Sequence, residues 1–328
     1  MSPFGGFAKN VYICISMENK KSIGTWLMEG LLNLSGRLPL GYHRWWARRI
    51  AHLMHGILHY RQDVVMANLA RSFPEMSYED LKANAKRFYL HFANTLTEMI
   101  WFGACKGEKG RKRLHDSHIV EITNPEELNR LYGGARQLMI LQSHTGNWEL
   151  IGGITNYSYG APLDIRPDAF AVTYMKIQSP LWNRLMADNR TAPVQDQGFE
   201  GYVENYNILR FALSHKDQKF GYSFITDQYP YVRGHRYPKV EFMHQDTLTM
   251  TAPASLACKL EMAVAYLRFE CREEGGYRMT FVPICENAKG QDPEIIMKQY
   301  YSLLEQDLNA QPWNYLWTHK RWKKESDL

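Results

Sequence analysis

The segment at 137–151, Gln-Leu-Met-Ile-Leu-Gln-Ser-His-Thr-Gly-Asn-Trp-Glu-Leu-Ile, constrains this chain more than any other stretch. Its apolar run at 137–141 has the length and bulk of a buried strand. It then passes through a polar loop with a Gly-Asn turn into an amphipathic helical pattern. Just upstream, 118–122 reads as a strand and 125–132 as a helix, so the periodicity follows a β-α-β rhythm. Further strands are expected at 169–173, 219–226, 264–270 and 277–282, with helical stretches between them. The fold class is therefore α/β: a mixed central sheet flanked by helices, preceded by an amphipathic N-terminal helical region.

That first region has a different grammar. Over 22–58 the apolar and aromatic residues recur at helical spacing, with Trp26, Leu27, Leu31 and Leu34, then Trp45, Trp46, Ile50, Leu53 and Ile57. The Leu-Pro-Leu-Gly run at 38–41 divides the pattern into two helices. The second is expected to carry Arg44, Arg48, Arg49 and Arg61 beside its tryptophans. Such a mixture suits an interfacial helix lying on a lipid surface, or alternatively a helix packed against later ones. His52, His55 and His59 fall near one another on it, but no carboxylate completes a metal set. A turn at 72–77 leads into a helix from 78 to about 102, with Ser77 as its N-cap. The glycine-rich, cationic run 105–113 is expected to be a solvated loop and the boundary between regions. The organisation is then a leader at 1–21, a membrane-associating helical region at 22–113, and an α/β domain at 114–328 packed with it as one unit. The apolar stretch 11–15 is too short for a signal-peptide core, and translation is expected to begin at Met17.

Composition narrows the partners. The net charge of +5 resides wholly in residues 1–60, where seven cations face two anions. An aromatic, basic N-terminus suits an acidic membrane surface. Nucleic acid is the rival polyanion, and no zinc-finger spacing, RNP-like strand or basic heptad supports it. No window approaches 18 consecutive apolar residues, so a spanning helix is not expected. The five cysteines form no CxxC pair, which points to reduced thiols and against a structural zinc.

The candidate chemistry lies in the loop after the 137–141 strand, since ligands of open α/β sheets bind at the carboxyl ends of strands. His144 can accept a hydroxyl proton near neutral pH if a carboxylate fixes its tautomer, and Glu149 can supply that carboxylate if Gly146-Asn147 folds the loop back. The alternative is that His144 caps the sheet and Glu149 complements a helix N-terminus. Asp227 and Gln228 follow another apolar strand, either facing the same cleft or capping a turn. Lys176 and Arg190 are candidate phosphate ligands or solvated surface cations. The closing Trp317, His319, Lys320, Arg321 and Trp322 either bind headgroups or stabilise the final turn.

The run His144-Thr-Gly-Asn-Trp-Glu149 resembles the HX4D/E motif of the glycerolipid acyltransferase superfamily. In its glutamate form it resembles the bacterial lipid A biosynthesis acyltransferases, the late lauroyl/myristoyl transferases. Other blocks agree in order: Leu38-Pro39-Leu40; Tyr60-Arg61, Val64-Val65, Asn68-Leu69 and the Ser-Phe-Pro-Glu run at 72–75; Tyr174, Ser179-Pro180 and Arg190; Thr226-Asp227-Gln228; Phe242 and Gln245-Asp246-Thr247; and the run from Tyr315 to Lys323. Met175 stands where that family often has an arginine, and Ala252 where it often has a glycine. The resemblance implies an acyltransferase αβ-sandwich that moves a fatty acyl chain from acyl carrier protein, or acyl-CoA, to a hydroxyl of a lipid A precursor. It implies a peripheral place on the cytoplasmic face of the inner membrane, with His144 as general base, Glu149 orienting it, and no metal or redox cofactor. Backbone N–H groups of Thr145, Gly146 and Asn147 are candidate oxyanion donors, and Lys176, Arg190, Asp227 and Gln228 candidate substrate contacts.

Three other readings compete. The acceptor can be another membrane lipid, such as a mannosylated phospholipid. A serine hydrolase would use Ser158 in Asn156-Tyr157-Ser158-Tyr159-Gly160, although Asn156 occupies the first glycine position of a nucleophile elbow. A non-catalytic lipid-binding protein would need His144 and Glu149 only for folding.

Overall fold

The computed structural model describes residues 23–230 and 237–323. The expected leader and the Met17 start lie outside them. Helices α1 (Ile23–Gly36) and α2 (Leu40–His52) are separated at Pro39, whose extended ψ of 149° precludes continuation of the helix. A π turn, Leu53–Ile57, extends α2. Then come α3 (Gln62–Ser72) and the long α4 (Tyr78–Phe102), which begins where Ser77 Oγ accepts the Asp80 backbone N–H at 3.2 Å. The division of 22–58 into two helices, the long helix and its cap all match the sequence pattern.

The 105–113 run is not a loop. It enters helix α5 (Gly107–Asp116), with Cys105, Gly110 and Leu114 buried. Charge density misled the expectation, because the cations occupy the outer face. Arg113 reaches back to donate to the carbonyls of Gly36 and Leu38, at 2.9 and 2.6 Å. A side chain at 110 would collide with the Cys105 backbone, which explains the glycine.

Beyond it, strands β1 (Val120–Ile122), β2 (Gln137–Gln142), β3 (Phe170–Tyr174), β4 (Tyr202–Glu204), β5 (Phe220–Ile225), β8 (Ala263–Cys271) and β9 (Tyr277–Cys285) form a seven-stranded sheet in the order β1-β9-β8-β2-β5-β3-β4. All pairings are parallel except β8 with β9. β6 (Lys239–Phe242) and β7 (Gln245–Leu248) form a separate hairpin. The flanking helices are α6 (Pro125–Gly134), α7 (Pro180–Arg190), α8 (Ile208–Ser214), α9 (Ala252–Lys259) and α10 (Pro293–Ala310). The mixed, helix-flanked sheet is the architecture the β-α-β rhythm predicts. The short β4 and the β6–β7 hairpin escaped prediction because their apolar runs are too brief to stand out.

Every residue of β2 is buried, and its alternation supplies both faces of the sheet. Met139 and Leu141 pack into a cluster with Val65, Leu69, Phe88 and Tyr300, while Leu138 and Ile140 join Trp101, Leu128, Leu150 and Ile151. Helices α3 and α4 thus share cores with the sheet. On α2, His43, Ala47 and Ala51 form the buried stripe at a spacing of four, and α2 packs on α4. Trp45 and Trp46 face outward, 44% and 42% exposed, as do Trp26, Leu27, Leu31 and Leu34 of α1. Among the described residues no helix is long and apolar enough to cross a membrane.

Replacing Ser77 by alanine removes the α4 cap and is expected to cost about 1 kcal/mol, read as a lower urea midpoint with an unchanged slope.

Candidate functional site

The site follows from one register. β2 and β5 pair in parallel with Gln142 opposite Ile225, and Thr226 N–H extends the ladder to the Gln142 carbonyl at 3.1 Å. Two residues further along each chain stand His144 and Asp227, side by side at the carboxyl edge of the sheet. His144 Nδ1 lies 2.8 Å from Asp227 Oδ1. The carboxylate is 1% exposed and the imidazole 14%. Burial alone would push the Asp227 carboxyl up; the charge of His144, its side-chain bond and its backbone N–H outweigh this and hold it below the usual range. An ionised Asp227 is an obligate acceptor, so in the neutral ring the proton sits on Nδ1 and the lone pair on Nε2.

Glu149 was expected to hold that ring; its carboxylate is engaged elsewhere. Arg190, at the end of α7, grips it with Nε–Oε2 at 2.5 Å and Nη2–Oε1 at 2.8 Å, and the Trp148 indole N–H adds a bond of 3.0 Å. Burial raises the Glu149 carboxyl, and Arg190, Trp148 and finally His144 more than offset this, leaving it lowered. The reason is local geometry. Gly146 sits at φ +57°, and the chain enters a 3-10 helix, Trp148–Asn156, rather than the expected α-helix, which turns Glu149 toward α7. Gly152 allows this approach, since a Cβ there would strike the Arg190 carbonyl. Arg190 is accordingly neither a solvated cation nor an open phosphate ligand. It is half-buried, paired with Glu149, and also donates to Tyr202 Oη at 3.1 Å.

The loop between them is held from three sides. Gly146 N–H donates to Asn314 Oδ1 at 2.7 Å, which removes it from the set of expected oxyanion donors. Its missing side chain makes room for the Phe269 ring. Asn147 Nδ2 donates to Glu98 Oε2 at 3.0 Å, and the same buried carboxylate accepts from Tyr277 Oη at 2.7 Å and from Arg44 Nε at 3.2 Å. Thr145 Oγ1 pairs with Ser143 Oγ at 2.8 Å. Trp148 packs edge-on against the His144 ring with centroids 5.0 Å apart. Beneath the loop, His91 lies 3.6 Å from Cys271 Sγ, and burial pushes its imidazole down to about 4.

Of the remaining predicted residues, Gln228 is half-buried, with its Nε2 3.1 Å from His144 Nε2. Lys176 is exposed on the segment after β3 and does not join this cluster. His319 lies near the pair: burial first, then opposing charges that include Asp227 and His144, bring it to about 4. Arg321 is buried, donating to the Leu248 carbonyl and Tyr301 Oη, which makes it a fixture of the closing turn. Ser158 Oγ bonds the Ala161 carbonyl within a turn rather than forming a strand-helix elbow. Sequence reasoning missed Glu98 and Asn314. Glu98 carried one signal, a carboxylate within the buried stripe of α4, whereas Asn314 carried none. Among the described residues no group of three His, Cys, Asp or Glu is placed to hold a metal, and Cys105, Cys258, Cys271 and Cys285 are unpaired.

A half-buried imidazole against a buried carboxylate at the carboxyl edge of an α/β sheet has the chemistry needed to accept a proton from a hydroxyl or water. The family described as bacterial lipid A biosynthesis acyltransferase matches residues 15–324. The chain belongs to that family and is an acyltransferase for lipid A-type substrates. No curated protein sequence matches it significantly.

Burial of neutral His91 makes a prediction about acid. The unfolded imidazole takes its proton near pH 6.5 and the folded one only near 4, so the unfolded state binds more protons between those values. Stability is therefore complete above pH 6.5 and falls as pH drops toward 4, by roughly 2–3 kcal/mol from this residue. Thermal midpoints measured from pH 8 to 4.5 are expected to decline over that window, and His91→Gln to flatten the decline.

Proposed function

We propose that this protein transfers a fatty acyl chain from acyl carrier protein to a hydroxyl of a lipid A precursor, with His144 as the general base. The observation that carries the reading is the 2.8 Å contact of Asp227 with Nδ1, which leaves Nε2 as the basic atom of the ring. Nε2 takes the acceptor's proton as the oxygen attacks the thioester carbonyl. Asp227 stabilises the imidazolium that forms. The tetrahedral intermediate then collapses, and the departing thiolate receives the proton back from Nε2. General-base assistance of this kind contributes about 10²–10⁴-fold. Glu149 acts at one remove in this account. Clamped by Arg190, it holds the 144–149 loop against α7 and so aims the ring.

The acceptor is a membrane lipid, and the outward tryptophans and leucines of α1 and α2 support docking of this face on the cytoplasmic leaflet of the inner membrane. Arg48 and Arg49 stand beside them, exposed, with Arg49 over the Trp45 ring at 5.0 Å. Aromatic rings at headgroup depth and cations facing acidic phosphates form a favourable pairing.

Labelled acyl chains on acyl carrier protein, offered with a lipid A precursor, test the chemistry. His144→Ala and Asp227→Asn are each expected to lower kcat by about 10²–10⁴-fold while remaining folded. Equal transfer by wild type and His144→Ala would remove this ring from the reaction, and no transfer to any lipid acceptor would favour a binding protein. For the surface, replacing Trp45 and Trp46 together by serine is expected to weaken co-sedimentation with anionic phospholipid vesicles about tenfold.

A further inference from the structure

Gln228 touches the one ring atom on which the proposed reaction depends. With Asp227 holding the proton on Nδ1, His144 Nε2 is an acceptor, and the Gln228 amide nitrogen 3.1 Å away donates to it. An acceptor hydroxyl cannot give its proton to that lone pair while the amide occupies it. Gln228 must move aside or change partner when substrate binds. Chemistry supplies both the cause and the destination. Once Nε2 is protonated it becomes a donor, and a second donor facing it is repelled. At that moment negative charge appears on the former carbonyl oxygen, which shares its carbon with the attacking oxygen and is therefore closer to it than a hydrogen-bond length. A donor that starts within reach of Nε2 needs only a small side-chain rotation to find that oxygen. The site also lacks one expected donor there, because Gly146 N–H is committed to Asn314.

We propose that Gln228 is a catalytic residue that changes partner during the reaction: in the resting enzyme it caps His144 Nε2, and in the transition state its N–H donates to the oxyanion of the tetrahedral intermediate. The step balances. The acceptor proton passes to Nε2, the new C–O bond forms as the carbonyl electron pair moves to oxygen, and collapse restores that pair while expelling the thiolate, which takes the proton. Gln228 gains and loses no proton. As the amide returns to Nε2 it again covers the base, so water has less access to it between turnovers. This inference rests on the His144 mechanism given above.

The test compares wild type with Gln228→Ala, Gln228→Met and Gln228→Glu in the same transfer assay. Gln228→Met keeps the bulk of the side chain and removes only its N–H, so it is the decisive variant if alanine disturbs folding; equal thermal midpoints establish that the proteins are folded. Loss of one oxyanion donor is expected to lower kcat by about 10²–10³-fold, with KM for donor and acceptor changed no more than a few-fold. Gln228→Glu is expected to be at least as slow, because it brings negative charge to the developing oxyanion. A merely structural glutamine would shift the thermal midpoint or KM and leave kcat in place. Retention of wild-type kcat by Gln228→Met, or a gain in kcat from uncapping the base, would overturn the proposal while leaving the His144 mechanism standing. Absence of any His144-dependent transfer by the wild-type protein would overturn both.

Discussion

The structure turns on the parallel register of two strands. Because Gln142 lies opposite Ile225, the residues two positions beyond each emerge together, and a histidine meets an aspartate that lies 83 positions away in the chain. A shift of one residue would turn one side chain to the other face of the sheet and part them. The complete burial of β2, with alternate side chains in two different cores, is what denies the sheet that slip. Packing energy spread over the whole domain thus fixes the 2.8 Å contact at its edge.

The loop that carries the histidine depends on a second layer of polar contacts. Three charged groups are brought into the interior around it, and each is paired: Glu98 with Arg44, Tyr277 and Asn147; Glu149 with Arg190 and Trp148; Asp227 with His144. A buried charge deprived of its partner is costly, so these contacts resist rearrangement and specify one loop conformation rather than many. The groups in these pairs come from α2, α4, α7, β9 and the segment after β5, so the helical N-terminal region takes part in building the site. Arg44 has a further consequence. It projects from the helix whose other face bears Trp45 and Trp46, so the exposed aromatic surface and the loop are linked through a single carboxylate.

Much of the architecture was legible in the sequence. Apolar periodicity locates α4, β2, β5, β8 and β9 closely, and Ser77 announces its helix, because these signals are local and strong. The reading of 105–113 fails for the opposite reason: glycine and charge mark a loop only when nothing buries one face, and Cys105, Gly110 and Leu114 do so here. The site shows the same division. The loop after β2 is evident, and His144 stands out within it, but proximity in sequence favoured Glu149 as the ring's partner. The positive φ at Gly146 and the 3-10 turn send that side chain to Arg190 instead.

Sequence alone determined the class of fold, the strand-loop-helix unit and the residue types capable of the chemistry, since backbone periodicity and the functional groups a segment carries are local properties. Only the tertiary structure decided which carboxylate serves the imidazole, which cations are spent on internal pairs, and which tryptophans face outward. Those outcomes depend on strand pairing and helix packing between residues far apart in the chain, and no local pattern encodes such distances.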